Sequence, residues 1–144
     1  MGGSSILPSG SDLVLFVDLP IPPSVNSIWH RKGRKVYRSK AYTLWLKAAD
    51  EAAIAQGKLI GSPWKGGPVQ ISMTVFRGKG WRKGRDLDNC AKVVIDWLRS
   101  RGHLVDDSWE FVSSVTVRMD YGEPGRLAFV EVVARADGHQ WGDR

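Results

Sequence analysis

Apolar and polar positions follow two different periods along this chain. Residues 12 to 18 form a short run, Asp-Leu-Val-Leu-Phe-Val-Asp, suited to a buried strand, and the prolines of Leu19-Pro20-Ile21-Pro22-Pro23 end its pairing. Val69, Ile71, Met73 and Val75 alternate with Gln70, Ser72 and Thr74, which predicts a half-buried strand over 69–77. Between these two runs the period lengthens. Tyr42, Trp45, Leu46, Ala49, Ala52 and Ala53 recur at helical spacing, with Ser39 as N-cap, an end near Gln56 and Gly57 as the stop. Between Asn26 and this helix, the stretch around Gly33 and Arg34 reads either as a hairpin tip, with Lys35 to Arg38 as its returning arm, or as a mobile loop.

A second helix is predicted from about Leu87 to Arg101, closed by Gly102. Stepped at 100° per residue, Cys90, Ala91, Val93, Val94, Ile95, Trp97 and Leu98 fill one broad arc. Asp88, Asn89, Lys92, Asp96 and Arg99 occupy the other. Strands at about 111–119 and 127–134 follow, joined by the turn-forming Asp120-Tyr121-Gly122-Glu123-Pro124-Gly125, and are expected to pair as a C-terminal hairpin. The order β-α-β-α-β-β predicts a single α/β domain with a mixed sheet of about four strands and two main helices.

With 144 residues the chain suffices for one domain, here expected over 12–136. Residues 1–11, rich in Gly and Ser, lack the features of a secretory signal and read as a flexible leader, and 137–144 as a flexible tail. No apolar run approaches the roughly 18 to 20 residues of a membrane helix. A soluble, cytoplasmic protein is therefore expected, without a membrane partner. The lone Cys90 excludes an intramolecular disulfide and a cysteine-rich zinc site, and is read as helix packing. His30, His103 and His139 have no metal-binding spacing and are read as surface or loop residues.

The net charge of +6 matters less than where it lies. Five basic residues fall in 30–38 and five in 77–85, so these two short segments hold ten of the 21 Lys and Arg. Solvated loops would account for that alone. Trp29 and Tyr37 bracket the first cluster, however, and Trp81 lies within the second, where rings can stack on bases or sugars; this favours nucleic acid.

The second cluster runs into Arg85-Asp86-Leu87-Asp88-Asn89 at a strand-to-helix junction. Two carboxylates two residues apart can share a hard divalent cation, while the bases upstream attract a polyanion, a combination that suggests phosphodiester cleavage. Helix capping is the plainer reading of Asp86 and Asp88, and one of them is expected to cap. Capping does not explain a second acidic pair, Asp106-Asp107, after the same helix, or Lys92 one turn above Asp88. An EF-hand loop fails because Cys90, Ala91 and Trp97 occupy the fifth, sixth and twelfth positions from Asp86. The glycine-rich run 78–84 lacks the Gly-Lys-Ser/Thr of a P-loop.

Taken in order, Ile21-Pro22-Pro23-Ser24-Val25-Asn26, the basic lead into Arg85-Asp86-Leu87-Asp88-Asn89, Lys92, and Leu104-Val105-Asp106-Asp107 resemble the RusA-type Holliday junction resolvases, over roughly residues 13–133. The resemblance implies a homodimeric α/β fold, encoded by a bacterium or phage, and magnesium-dependent cleavage of four-way DNA junctions. By position it implies essential carboxylates at Asp86, Asp88 and Asp107 and an essential lysine at Lys92.

On that footing, the expected chemistry is hydrolysis of one phosphodiester in each of two opposing strands, with Asp86, Asp88 and Asp107 holding Mg²⁺, for which Mn²⁺ is a possible substitute. Lys92 either stabilises transition-state charge and orients water, or serves as a structural counterion to the acids. Asp106 is the weaker ligand of its pair, since neighbours in extended chain point to opposite sides. Arg82, Lys83 and Arg85 are expected to contact phosphates, with Arg31, Lys32, Arg34 and Lys35 as secondary candidates and Asn26 as a residue that approaches the site or stabilises a turn. Symmetric cuts suit a C₂ dimer, for which Trp45, Trp64, Trp97 and Trp109 are either anchors or ordinary core. Two alternatives stay open: a nuclease for other branched or flap DNA, and a non-catalytic binder of nucleic acid.

Overall fold

The computed structural model describes residues 13–24, 28–62, 64–79, 87–106, 110–120 and 127–138, with Asp88 and Asn89 described by their backbone. Among these residues the elements are β1 (Leu13–Pro20), β2 (Trp29–Lys32), β3 (Lys35–Arg38), α1 (Lys40–Ala55), β4 (Val69–Phe76), α2 (Asp88–Ser100), β5 (Val112–Asp120) and β6 (Phe129–Ala136). The fold is a single mixed α/β domain, as the periodicity predicts. Strands β1, β6, β4 and β5 lie side by side in that order, antiparallel except for the β4/β5 pair.

That order corrects the expected C-terminal hairpin. Strands β5 and β6 are not neighbours, because β4 runs between them. The turn residues report only that the chain reverses, and a reversal does not oblige the flanking strands to pair. Val69, Ile71, Met73 and Val75 are all at most 2% exposed, so β4 takes a central place and is paired on both edges. Residues 121–126 of the turn lie outside the described residues.

The open choice at Gly33 resolves as a hairpin. Strands β2 and β3 pair antiparallel with Lys32 opposite Lys35, and Gly33, at φ +61°, supplies the positive φ that a two-residue turn requires. The hairpin is tied down at its base, where the Ser39 N–H donates to the Ile28 carbonyl at 2.9 Å. Ser39 also caps α1 as expected, its hydroxyl accepting from the Tyr42 N–H at 3.1 Å. Both helices then end in the same way: Gly57 and Gly102 adopt φ +70° and +83°, and the following N–H groups of Lys58 and His103 return to the carbonyls of Ala53 and Leu98.

One face of the sheet carries the core. Val17, Ile71, Met73, Val130 and Val132 meet Tyr42, Trp45, Ala49 and Ala53 of α1 and Val93, Val94, Trp97 and Leu98 of α2 in a single cluster. Trp45 and Trp97 are thus core rather than surface anchors, and Cys90 is buried as helix packing. Trp109 lies outside the described residues. Trp97 donates its indole N–H to Asp50 at 2.9 Å, and Asp50 accepts two further bonds from Arg101, each 2.7 Å, which lock α1 to α2.

His103 is a loop residue, one of the two expected placements, but a buried one. It is 8% exposed, its ring stacks on Trp97 at 5.5 Å, and its Nε2–H donates to the Lys58 carbonyl at 2.8 Å. The turn at Gly102 directs it inward, where Gly61 is the only residue type that leaves room, since a Cβ there would meet the His103 ring and its Cα at 2.8 Å. Burial holds its pKa below the ordinary 6.5, against the opposing pull of the Lys58 carbonyl. The folded state therefore prefers neutral His103, a contribution present above pH 6.5 and lost as pH falls through the lowered folded value. Urea titrations at pH 7.5 and 5.5 should show wild type losing stability at the lower pH. His103→Gln should be less stable at pH 7.5 and should lose less on acidification.

Candidate metal and nucleic-acid site

The acidic motif sits where β4 passes over to α2. After Phe76 the Arg77 N–H donates to the Asp120 carbonyl at 3.0 Å, and the Ala128 N–H donates to the Lys79 carbonyl at 2.9 Å, so the basic segment leaves from the end of the sheet. Residues 80–86, with Trp81, Arg82, Lys83, Arg85 and Asp86, lie outside the described residues, as do Asn26 and Asp107. The chain re-enters at Leu87, and α2 opens on Asp88. Leu87 occupies the N-cap position without a side-chain capping bond, so Asp88 is in the first turn rather than at the cap. That position favours negative charge, because the unpaired N–H groups of the first turn carry the positive end of the helix dipole.

Along the outer face of α2 the charges form a chain. Lys92 donates to Asp96 at 3.0 Å, Asp96 also meets Arg99 at 3.7 Å, and Arg99 reaches Asp106 at 3.6 Å. Of the polar arc expected from the sequence, Lys92, Asp96 and Arg99 therefore face solvent. The partner that sequence reasoning missed is Asp96, although its i,i+4 spacing from Lys92 was there to be read. Asp88 opens the helix, whereas Asp106 lies against Arg99 in its last turn. At 1.5 Å per residue, Asp88 and Arg99 are about 16 Å apart along the axis.

The basic hairpin is the second part of the surface. All eight residues of β2 and β3 are exposed, among them Arg31, Lys32 and Lys35, and so is Arg34 in the turn. Trp29 at 51% and Tyr37 at 48% stand open among the cations, as the aromatic interleaving suggested. His30 and Tyr37 are cross-strand partners with ring centroids 5.8 Å apart, and Trp29 sets its edge against Tyr42, also at 5.8 Å. Burial raises the Tyr42 pKa, and the Asp96 charge adds to that, so the hairpin base and the polar face of α2 lie within electrostatic reach.

The described surface thus combines an aspartate in the first turn of α2 with an exposed basic hairpin, carried by one α/β domain. The model of the family described as Endodeoxyribonuclease RusA matches residues 20–132, most of the chain, and the chain belongs to that family. It is accordingly a Holliday junction endodeoxyribonuclease. No curated protein matches the chain. No helix among the described residues is long and apolar enough to cross a membrane.

The Lys92–Asp96 pair is open to water, with side chains 52% and 24% exposed. Asp96→Asn should therefore change the unfolding free energy by no more than about 0.5 kcal/mol in urea titrations. A loss above about 2 kcal/mol would make this ion-pair chain a structural element instead.

Proposed function

We propose that this chain resolves four-way DNA junctions by paired symmetric nicks, as a magnesium-dependent homodimer for which Mn²⁺ can substitute. The observation that carries this reading is the family match across both acidic motifs, together with a helix that opens on Asp88 and presents Lys92 to solvent one turn later. Asp86, Asp88 and Asp107 are the proposed ligands, an all-oxygen donor set that suits a hard divalent ion. When bound, such an ion lowers the pKa of water and neutralises charge on the phosphate and the leaving oxygen.

The chain's own groups do the remaining work. Lys92, half-exposed, offers an ammonium that can turn from Asp96 toward a phosphate and stabilise the extra charge of the transition state. Arg31, Lys32, Arg34 and Lys35 on the hairpin, with Arg82, Lys83 and Arg85 before α2, hold the backbone of the DNA without reading its sequence. Trp29 and Tyr37 are exposed for stacking at a branch point, where bases are least well paired. Residues 12–136 form the endonuclease domain, and the setting is the cytoplasm of a bacterium or of a phage-infected cell.

Binding and cutting should come apart on substitution. Asp86→Asn should keep junction affinity within about threefold while cleavage falls by at least about a hundredfold, because several kcal/mol of charge stabilisation depend on the metal. Changing Arg31, Lys32, Arg34 and Lys35 together to Ala should instead weaken binding and flatten its dependence on salt by up to about three or four units of log–log slope. Gel-shift and nicking assays on one labelled junction read both. An Asp86→Asn protein that still cuts would remove the carboxylates from the reaction.

A further inference from the structure

The β2/β3 hairpin is held to the domain only at its base. Both of its ends are buried, Ile28 at 3% and Ser39 at 2% exposure, and the Ser39 N–H donates to the Ile28 carbonyl. Beyond that bond all eight strand residues are exposed. Among the described residues, none from 30 to 37 is hydrogen-bonded or ion-paired to the rest of the domain, and the ring contact of His30 stays inside the hairpin, with Tyr37. The direction of the hairpin is therefore decided at its first rung.

That rung is the cross-strand pair of Trp29 and Arg38, whose side chains share one face of the hairpin. Both meet Tyr42 of α1. The Trp29 and Tyr42 rings stand edge to face with centroids 5.8 Å apart, and the Arg38 guanidinium lies over the Tyr42 ring, 5.8 Å from its centre. Tyr42 is itself fixed by two further contacts: its ring stacks on Trp45 at 6.5 Å, and its N–H is held by the capping hydroxyl of Ser39. It is 7% exposed and belongs to the core that α1 shares with α2. The charges of Asp96, the partner of Lys92, and of Arg101 reach it from α2.

We propose that Tyr42 is a positioning residue: through Trp29 and Arg38 it sets the direction of the basic hairpin relative to α2, and so where a DNA strand gripped by the hairpin lies relative to Asp88 and Lys92. The consequence for cutting rests on the resolvase reading, whereas the anchoring does not. At about 3.4 Å per residue the turn at Gly33 stands about 14 Å beyond Trp29, so a tilt of about 10° at the rung moves the turn by about 2 Å. Misplacing a bound strand by that much is enough to slow a reaction at a fixed catalytic centre by orders of magnitude. Because α1 and α2 are locked together through Asp50, a ring fixed on α1 is fixed relative to α2 as well.

The anchoring can be read without DNA. Nitroxides on Arg34→Cys in the hairpin turn and Ser100→Cys at the end of α2, diluted with unlabelled protein so that only pairs within one chain count, report the distance between the two elements by pulsed EPR; Cys90 is buried and takes no label. One narrow distribution is expected with Tyr42 and with Tyr42→Phe, which keeps the ring. Tyr42→Leu should broaden it, and so should Arg38→Ala, which removes the cation from the exposed side of the contact and serves if Tyr42→Leu does not fold. With junction DNA in excess, the broadened variants should cut at least about tenfold more slowly while their affinity stays within about threefold, and Tyr42→Phe should cut like wild type. A distribution that stays narrow in every one of these variants that folds would overturn the anchor, as would a wild-type distribution as broad as theirs. Broadening without any fall in the cutting rate at saturation would overturn the positioning role. A wild type that cuts no junction, while the distances change as expected, would count against the resolvase reading and not against the anchor.

Discussion

Burial of the apolar arc of α2 in the core beneath the sheet is the constraint on which the rest of this molecule depends. Val93, Val94, Trp97 and Leu98 are fully buried, and each aliphatic one contributes roughly 1.5–3 kcal/mol by leaving water. Because the arc is broad and the helix has 13 residues, its rotation about its own axis is fixed, and so is the face it shows to solvent. Lys92, Asp96 and Arg99 are outside because the valines and Trp97 are inside. The bonds from Trp97 and Arg101 to Asp50 then fix its position against α1.

The same packing explains how charge is distributed. Apolar contacts gather on one face of one sheet, leaving the helix start, the outer face of α2 and the β2/β3 hairpin to carry the ionised groups. The hairpin contributes little to the core beyond its base at Ile28, Ser39 and Tyr42, and its eight exposed residues can be shaped by what they bind rather than by what they pack against. Strength in the fold and charge at the working surface are thus kept in separate parts of the chain. Exposed cations in such a place need not be desolvated to stabilise the domain.

Much of the fold was legible in the sequence, and the reasons are specific. Ser39, Gly57 and Gly102 mark helix boundaries because each meets a backbone demand that few other residues meet, and β4 alternates cleanly because one of its faces is core. Sheet order was not legible. The turn after Asp120 signals a reversal, whereas the neighbour that β6 takes is decided by which strand most needs cover on both sides, a property of the whole sheet. The loop position of His103 was legible but its burial was not, since that depends on Gly61, distant from it in sequence. At the candidate site the sequence located the helix that Asp88 opens, its polar arc and the basic stretch around Gly33, but did not decide between hairpin and loop there. It did not anticipate Asp96 as a partner of Lys92, because attention went to the acid on the preceding turn. Asp86, Asp107, Arg82, Lys83 and Arg85 lie outside the described residues; the part proposed for the two aspartates rests on the resemblance and that of the three bases on their charge.

In the reading proposed above, this domain cuts branched DNA at a carboxylate-held metal. Its most direct test is to map the nicks that the full chain makes in a synthetic four-way junction, each strand labelled in turn, beside a linear duplex of the same sequence, with Mg²⁺ and then with EDTA. Nicks are expected at matching positions in two opposing strands, in Mg²⁺ alone, with the duplex intact. Tight junction binding with no cutting in Mg²⁺ or Mn²⁺, or equal cutting of the duplex, would contradict it.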